Sequence, residues 1–269
     1  MVELGLSSRR EADALILSGG VLVDGLVERT LGRQVSLAQS VALAEWATAA
    51  QKRAKTVLLH KPAGFVSVRK EKNQTPAHAL ITRAARVLHP GEEVEFADQH
   101  IELDASLLGV CGRLDKSSRG LLVLTDDGNV ARRLIGPLKE DCVGNDDNQA
   151  TAIAKEYRVT FKSFQSLKSA NSNAFPLPLE ALAAFRAGGL TLPGDPRPLL
   201  PVQIDFVDNN KNNNCLRIVL HEGRNRQIRR MLGLFGCQVT DLYRVRIGNI
   251  HIDGLLPGQW RYLRKDETF

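Results

Sequence analysis

Short apolar runs of strand length, bounded by turn residues, constrain this chain more than any other feature of its sequence. Leu121 to Leu124 in GLLVLT, TVLLH from Thr56, EYRVTF from Glu156, PVQIDFV from Pro201 and CLRIVL from Cys215 each read as a strand. Helical spacing is interleaved with them. LEALAAFRAGG over 179–189 ends on a glycine stop, and NRQIRRMLGLF over 225–235 sets Ile228, Met231, Leu232 and Phe235 at i, i+3, i+4 and i+7, leaving Arg226, Arg229 and Arg230 off that stripe. The pattern is that of an α/β chain. With 269 residues and a 43% hydrophobic composition, it predicts one large domain with a substantial core and a second, small one.

The small domain reads from the amino end. In SSRREADALILSGGVLVDG, Ser8 with Glu11 three residues on forms a capping box, opening a helix that buries Ala12, Leu15 and Ile16 and stops at Gly19 and Gly20. Asp24-Gly25 between the apolar runs VLV and LV is a tight-hairpin signal. This places a helix and a small β unit in residues 1–45, reads 46–55 (WATAAQKRAK) as a linker, and leaves 56–269 for the large domain. Residues 71–109, 139–152 and the low-complexity DNNKNNN at 208–214 are polar and poorly patterned, and read as surface insertions or long turns.

Charge points to a polyanionic partner. The formal net charge is +6, and between His221 and Arg246 there are arginines at 224, 226, 229, 230, 244 and 246 against only Glu222 and Asp241. A second cluster holds Lys52, Arg53, Lys55, Lys61, Arg69, Lys70 and Lys72. Two such stretches beside loop-like motifs favour nucleic acid over a membrane or an acidic protein. No apolar run approaches the roughly 20 residues of a membrane span. The four cysteines lie far apart without a C-x-x-C pair, which fits a reducing compartment and no zinc site, and the six histidines show no ligand spacing, so no metal is expected. SSRG lacks the first glycine of a nucleophile elbow, and no phosphate-binding glycine loop or dinucleotide fingerprint is present.

One acid stands out against this background. In GRLDKSSRGLL, Asp115 sits two residues after Arg113 and just before a buried strand; alone it is as readily a turn residue. Four stretches, however, occur in order: HKPAG (60–64), GRLDKSSRGLL (112–122), KEYRV (155–159) and EGRNRQIRRML (222–232). This series resembles the pseudouridine synthases, specifically the RsuA/RluF-type branch, and the amino-terminal stretch resembles the RNA-binding module shared with ribosomal protein S-four. The resemblance covers about four-fifths of the chain. It implies a mixed, mainly antiparallel central sheet flanked by helices, and isomerisation of a specific uridine, most simply in ribosomal RNA, with no cofactor. It gives the catalytic roles to Asp115, to Tyr157 beneath the base and to Arg229 as the partner of the aspartate. The small module begins inside its usual first helix, so Met1 is read as a trimmed amino end. The length of 71–109 suggests a non-bacterial or divergent source, and hence a cytoplasmic or an organellar location.

The chemistry gives each residue type a reason. Making pseudouridine requires cleavage of the N1–C1′ bond, rotation of the uracil, a new C5–C1′ bond and loss of the C5 proton. A carboxylate can attack the anomeric carbon or remove the C2′ proton, and Asp115 could do either. Both roles need it ionised, which a nearby guanidinium favours. Tyr157 offers a face for stacking and a hydroxyl that could reach the C5 proton. Leu242 matches an aliphatic position lining the uracil pocket, Arg113 is read as contacting phosphate or the neighbourhood of the flipped nucleotide, and Lys155 as structural or facing phosphate. Arg224, Arg226 and Arg230 are expected to form a basic groove, and Arg9 and Arg10 to reach phosphates from the helix start. The chain is expected to act as a monomer. Two other readings fit parts of this pattern: a non-catalytic RNA-binding or ribosome-assembly protein, and a base-excising glycosidase that would release free uracil.

Overall fold

The computed structural model describes residues 1, 4, 6–7, 9–52, 55–69, 71–88, 105–106, 108–135, 153–163, 177–207 and 214–269. The amino-terminal module holds helix α1 (Arg9–Ser18), strands β1 (Val21–Val23), β2 (Leu26–Glu28) and β3 (Val41–Leu43), and helix α2 (Glu45–Lys52). Asp24 and Gly25 both have positive φ, 51° and 80°, the backbone a two-residue hairpin turn demands, and they pair β1 with β2 antiparallel. Helix α1 buries Ala12, with Leu15 and Ile16 half-buried. Ser8 lies outside the described residues, but Glu11 looks outward: its carboxylate accepts a hydrogen bond from Gly128 N (3.3 Å), joining the module to the large domain.

The expected linker is a helix. Its alanines are strong helix formers, Glu45 complements the dipole of the first turn, and Ala47 is fully buried. The indole of Trp46 and the Leu15 side chain flank Gly20, where an added Cβ would lie 3.1 Å from both. A helix this short stands by packing, a contribution that the Ala-rich composition could not reveal.

The large domain is built on strands β4 (Thr56–Lys61), β5 (Gly109–Cys111), β6 (Arg119–Thr125), β7 (Lys155–Ser163), β8 (Thr191–Leu192), β9 (Asp195–Pro198), β10 (Gln203–Phe206), β11 (Cys215–Leu220), β12 (Cys237–Ile247), β13 (Ile250–His251) and β14 (Trp260–Tyr262). Helices α3 (Gly128–Ile135), α4 (Leu179–Ala187) and α5 (Gln227–Gly233) pack with them. Nine strands form one sheet in the order β10-β11-β7-β12-β6-β4-β14, with β13 on β12 and β5 on β6, and β8 with β9 makes a separate hairpin. Every pairing in the large sheet is antiparallel except the short β12–β6 contact, so the sheet is mixed and mainly antiparallel.

Both faces are covered, which explains why β4 and β6 read as unbroken apolar runs. Val57, Leu59, Leu122 and Leu124 enter one cluster with Val159, Phe161, Ile218 and Leu242, while Leu58, Leu121 and Val123 enter another with Leu134, Ile247 and Ile252. Helix α3 has no counterpart in the sequence reading. Asp127, read there as part of a turn, caps it by accepting hydrogen bonds from Asn129 N (2.8 Å) and Val130 N (3.2 Å). The first part of 71–109 is also more than a surface insertion. Two 3-10 turns, Ala77–Leu80 and Arg83–Ala85, lie along the β14 edge, with Ala77 fully buried and Trp260 Nε1 donating to Thr82 O at 2.7 Å. The segments 89–104, 139–152 and 208–213 lie outside the described residues. Among the described residues no helix is long and apolar enough to cross a membrane.

Candidate active site

The loop 112–118 leaves the sheet where its pairing forks. Strand β5 pairs with the far half of β6, Cys111 opposite Val123, whereas the start of β6 pairs in parallel with β12, Gly120 opposite Arg244. The fork leaves backbone carbonyls without strand partners, and the Arg244 side chain takes them: Nε donates to Leu121 O (2.7 Å) and Nη2 to Gly112 O (2.8 Å). At 1% exposure this guanidinium is structural, which corrects its inclusion in a nucleic-acid-facing cluster. Arg119 anchors the far end of the loop, bonding to both Asp241 oxygens (3.0 and 2.7 Å) and lying 4.0 Å from the Tyr243 ring centroid.

Asp115 rises from this loop with its carboxylate 29% exposed. Two arginines meet it. Arg229 Nε and Arg226 Nη1 each lie 3.6 Å from Oδ2, within ion-pair range and beyond hydrogen bonding. The apolar stripe Ile228, Met231 and Leu232 buries one side of α5, and this seats Arg229 with its side chain only 12% exposed. Its Nη1 donates to Val239 O (3.1 Å) and its Nη2 to Ser118 Oγ (3.2 Å), while the buried Nε has no hydrogen-bond partner among the described residues. Burial, followed by repulsion from Arg226, lowers the pKa of Arg229, and Asp115 acts against that shift. Arg226 itself has φ of 50° at the start of α5 and stays 52% exposed. Sequence reading gave Arg226 to RNA contacts only. Its nearness to Asp115 comes from that left-handed backbone, which no local signal announces.

One row of paired residues crosses the sheet beneath the loop: Lys61, Gly120, Arg244, Tyr157 and Ile218 face one another in register on β4, β6, β12, β7 and β11. Tyr157 is 8% exposed on the buried face of β7, and Leu242 is 7% exposed, paired with Val159. Lys61, from the HKPAG stretch, is wholly buried; its ammonium donates to Pro62 O (2.9 Å) and Phe65 O (2.8 Å). Burial, and secondarily Arg244, push its pKa down to about 8, with Asp115 pulling the other way. Lys155 is 9% exposed, donates to Ile153 O (3.3 Å), and is pushed down to about 8 by the same two causes, so it takes the structural alternative.

The expected basic groove is smaller than its arginine count. Arg224 is tied to Glu222 (2.9 Å), Arg197 O (2.6 Å) and Pro198 O with its side chain 9% exposed, so it braces the β8–β9 hairpin instead of facing a ligand. Arg230 bonds to Asn225 O (3.4 Å) and Pro193 O, and Arg246 to Glu156 (2.8 Å). Arg113 is exposed beside Asp115. The side chains of Arg9 and Arg10 lie outside the described residues. Among the described residues no group of three or more His, Cys, Asp or Glu could hold a metal ion.

Residues 55–233 match the family model described as RNA pseudouridylate synthase. The chain is 31% identical over 261 residues to a ribosomal small subunit pseudouridine synthase A of Pseudomonas aeruginosa, covering 97% of this chain and 93% of that one. It is 29% identical over 269 residues to the protein of the same name in Vibrio cholerae, with the same coverage. A crystal structure of a pseudouridylate synthase superposes with a TM-score of 0.57 over 96% of this chain and 91% of the other, at 22% identity, a likeness of fold.

Proposed function

The chain belongs to the RNA pseudouridylate synthase family, and on that premise we propose that Asp115 is the carboxylate through which it converts a uridine of small-subunit ribosomal RNA to pseudouridine. The observation that carries this reading is the placement of one partly exposed carboxylate 3.6 Å from an arginine whose side chain is only 12% exposed, at the mouth of a loop braced from behind by buried cations. Attack on C1′ and removal of the C2′ proton both require the carboxylate form, and two guanidinium groups face the oxygen that would carry that charge. After N1–C1′ cleavage the uracil turns, C5 joins C1′ as the bond to Asp115 breaks or the C2′ proton is returned, and the proton lost from C5 is matched by one gained at N1. No atom is gained or lost overall.

Tyr157 supplies a stacking face for the base and a hydroxyl for the C5 proton, and Leu242 the aliphatic wall; the buried face they share in the sheet supports this pairing of roles. Arg226 and Arg113, both exposed, serve phosphate contacts. The amino-terminal module adds RNA contacts through α1, with Arg9 and Arg10 at its start, where the helix dipole favours anions. Ribosomal RNA as substrate is supported by the names of the relatives matched over nearly their full length. Loop 112–118, β7 and α5 all come from one chain, so the proposed site needs no residue of a second copy.

Asp115→Asn tests the reading. The amide is nearly isosteric but can act neither as nucleophile nor as base, so turnover should fall by more than about a thousandfold while RNA affinity is kept. Mass spectrometry of wild-type product should find an unchanged RNA mass with pseudouridine in the digest, whereas excision would release uracil. Substantial turnover by Asp115→Asn in a sample free of deamidation would withdraw the assignment.

A further inference from the structure

The HKPAG stretch and the residues after it remain without a part in the chemistry, and their geometry assigns one. We propose that Ser67 is a positioning residue for Asp115, holding the catalytic loop through a two-way bond to the peptide groups of Leu114; the inference rests on Asp115 being the reacting carboxylate. Ser67 is 3% exposed, and its hydroxyl accepts from Leu114 N at 2.8 Å while donating to Leu114 O at 2.7 Å. A hydroxyl carries one donor and two acceptor sites, so it can do both at once. On the other side of the aspartate, Gly64 N donates to Lys116 O at 2.8 Å. Asp115 is therefore pinned before and after by one segment.

That segment is itself stiff. The Lys61 ammonium closes the 62–65 turn from within, and Val66 bonds through N to Thr75 O (3.0 Å) and through O to Ala77 N (2.7 Å). The Ser67 side chain continues this pairing toward Leu114, where a strand partner would otherwise stand. Loop placement matters more here than in most sites. The carboxylate of Asp115 contacts its arginines at 3.6 Å without a hydrogen bond among the described residues, so backbone position determines where its oxygens point. Leu114 is 7% exposed, and without the hydroxyl its N–H and C=O would be buried and unpaired.

The test compares Ser67→Ala and Ser67→Cys with Ile252→Val, a mild core change in the cluster on the opposite face of the sheet. Single-turnover rates at saturating RNA are read beside RNA affinity and the thermal melt. Ser67→Ala should lose about 10- to 100-fold in rate, the scale of a small misplacement of a reacting group, with RNA affinity within about twofold. The weaker thiol of Ser67→Cys should lose about 3- to 10-fold, and Ile252→Val should keep the wild-type rate. A rate within about twofold of wild type for Ser67→Ala, or an equal loss in Ile252→Val at an equal folded fraction, overturns the proposal. If Ser67→Ala does not fold, the cysteine variant decides: the stated loss at unchanged affinity supports the proposal and a wild-type rate overturns it. Asp115→Asn in the same assay separates the two readings. If it is inactive while Ser67→Ala is normal, only the Ser67 role falls; if it is active, both fall.

Discussion

Asp115 shares its charge with two guanidinium groups of unequal standing. The Arg229 side chain is only 12% exposed and fixed to Val239 O and Ser118 Oγ, whereas Arg226 is half open to solvent at the same 3.6 Å distance. On the proposed role of Asp115, a fixed cation can hold the carboxylate in one place throughout the reaction, while an exposed one can exchange a carboxylate for a phosphate. Arg229→Ala should therefore cost about 100-fold in single-turnover rate with RNA affinity changed less than about threefold, the scale of losing one preorganised electrostatic partner. Arg229→Lys should recover part of it, because an ammonium cannot reach Val239 O, Ser118 Oγ and Asp115 from one planar fork. Arg226→Ala should act mainly on binding, reducing the log–log salt slope of RNA affinity by roughly 0.7 to 0.9. If the two variants exchange these signatures, the division of labour is the reverse.

At the scale of elements, the fork between β5 and β12 on β6 is what makes a loop available. Two strands compete for one edge, and the parallel contact wins at Arg119 and Gly120 because the chains approach there more closely than side chains allow. Gly120 has φ of +114°, and a Cβ added to it would lie 2.2 Å from Arg244 O and 2.7 Å from Arg244 N, both backbone atoms that cannot swing aside. Gly120→Ala should combine backbone strain with overpacking and lower stability by at least about 3 kcal/mol in urea unfolding. Nearly unchanged stability would mean that β12 and β6 do not meet as described. The glycine was visible in GRLDKSSRGLL and suited a loop reading. Its real work is inside a strand, against a residue 124 positions later in the chain, as the pairing with Arg244 requires.

For the whole molecule, the notable quantity is the number of cations kept inside. Lys61, Lys155 and Arg244 are each at most 9% exposed and lie behind the loop that carries Asp115, bonded mainly to backbone carbonyls. Burial holds Lys155 at about 8, against an ordinary value near 10.5. Between those two pH values the unfolded chain carries a proton on this lysine that the folded chain has released. Unfolding then takes up a proton, so the contribution of Lys155 to stability rises with pH from about 8 to 10.5 and is lost as pH falls through 8. Its slope is at most about 1.4 kcal/mol per pH unit. Lys155→Met should remove that slope, and the difference between wild-type and variant unfolding free energies over pH 7 to 10 measures it while opposing groups such as the buried Cys111 thiol cancel. A flat difference would show that the lysine keeps its proton through the window.

Local pattern in the sequence determined the elements that a few neighbouring residues can specify. The apolar runs of β4, β6, β7, β10 and β11, the stripe of α5, the Asp24-Gly25 hairpin and the glycine stop after α1 all follow from periodicity and backbone preference, which act over two to eight residues. The residue types of the candidate site were legible for the same reason, since a carboxylate, a phenol and a guanidinium carry their chemistry with them. Apart from Arg229, which the resemblance pairs with Asp115, what each cation touches was not legible. Arg224, Arg226, Arg229, Arg230 and Arg244 look alike in the sequence, yet Arg244 bonds to a carbonyl 123 residues away, Arg224 braces a hairpin 26 residues upstream and Arg229 reaches a hydroxyl 111 residues away. Helix α2 depended in the same way on Gly20 making room beside Trp46. A charged side chain seeks whichever polar groups strand pairing leaves unsatisfied, and those are defined only once distant strands have met.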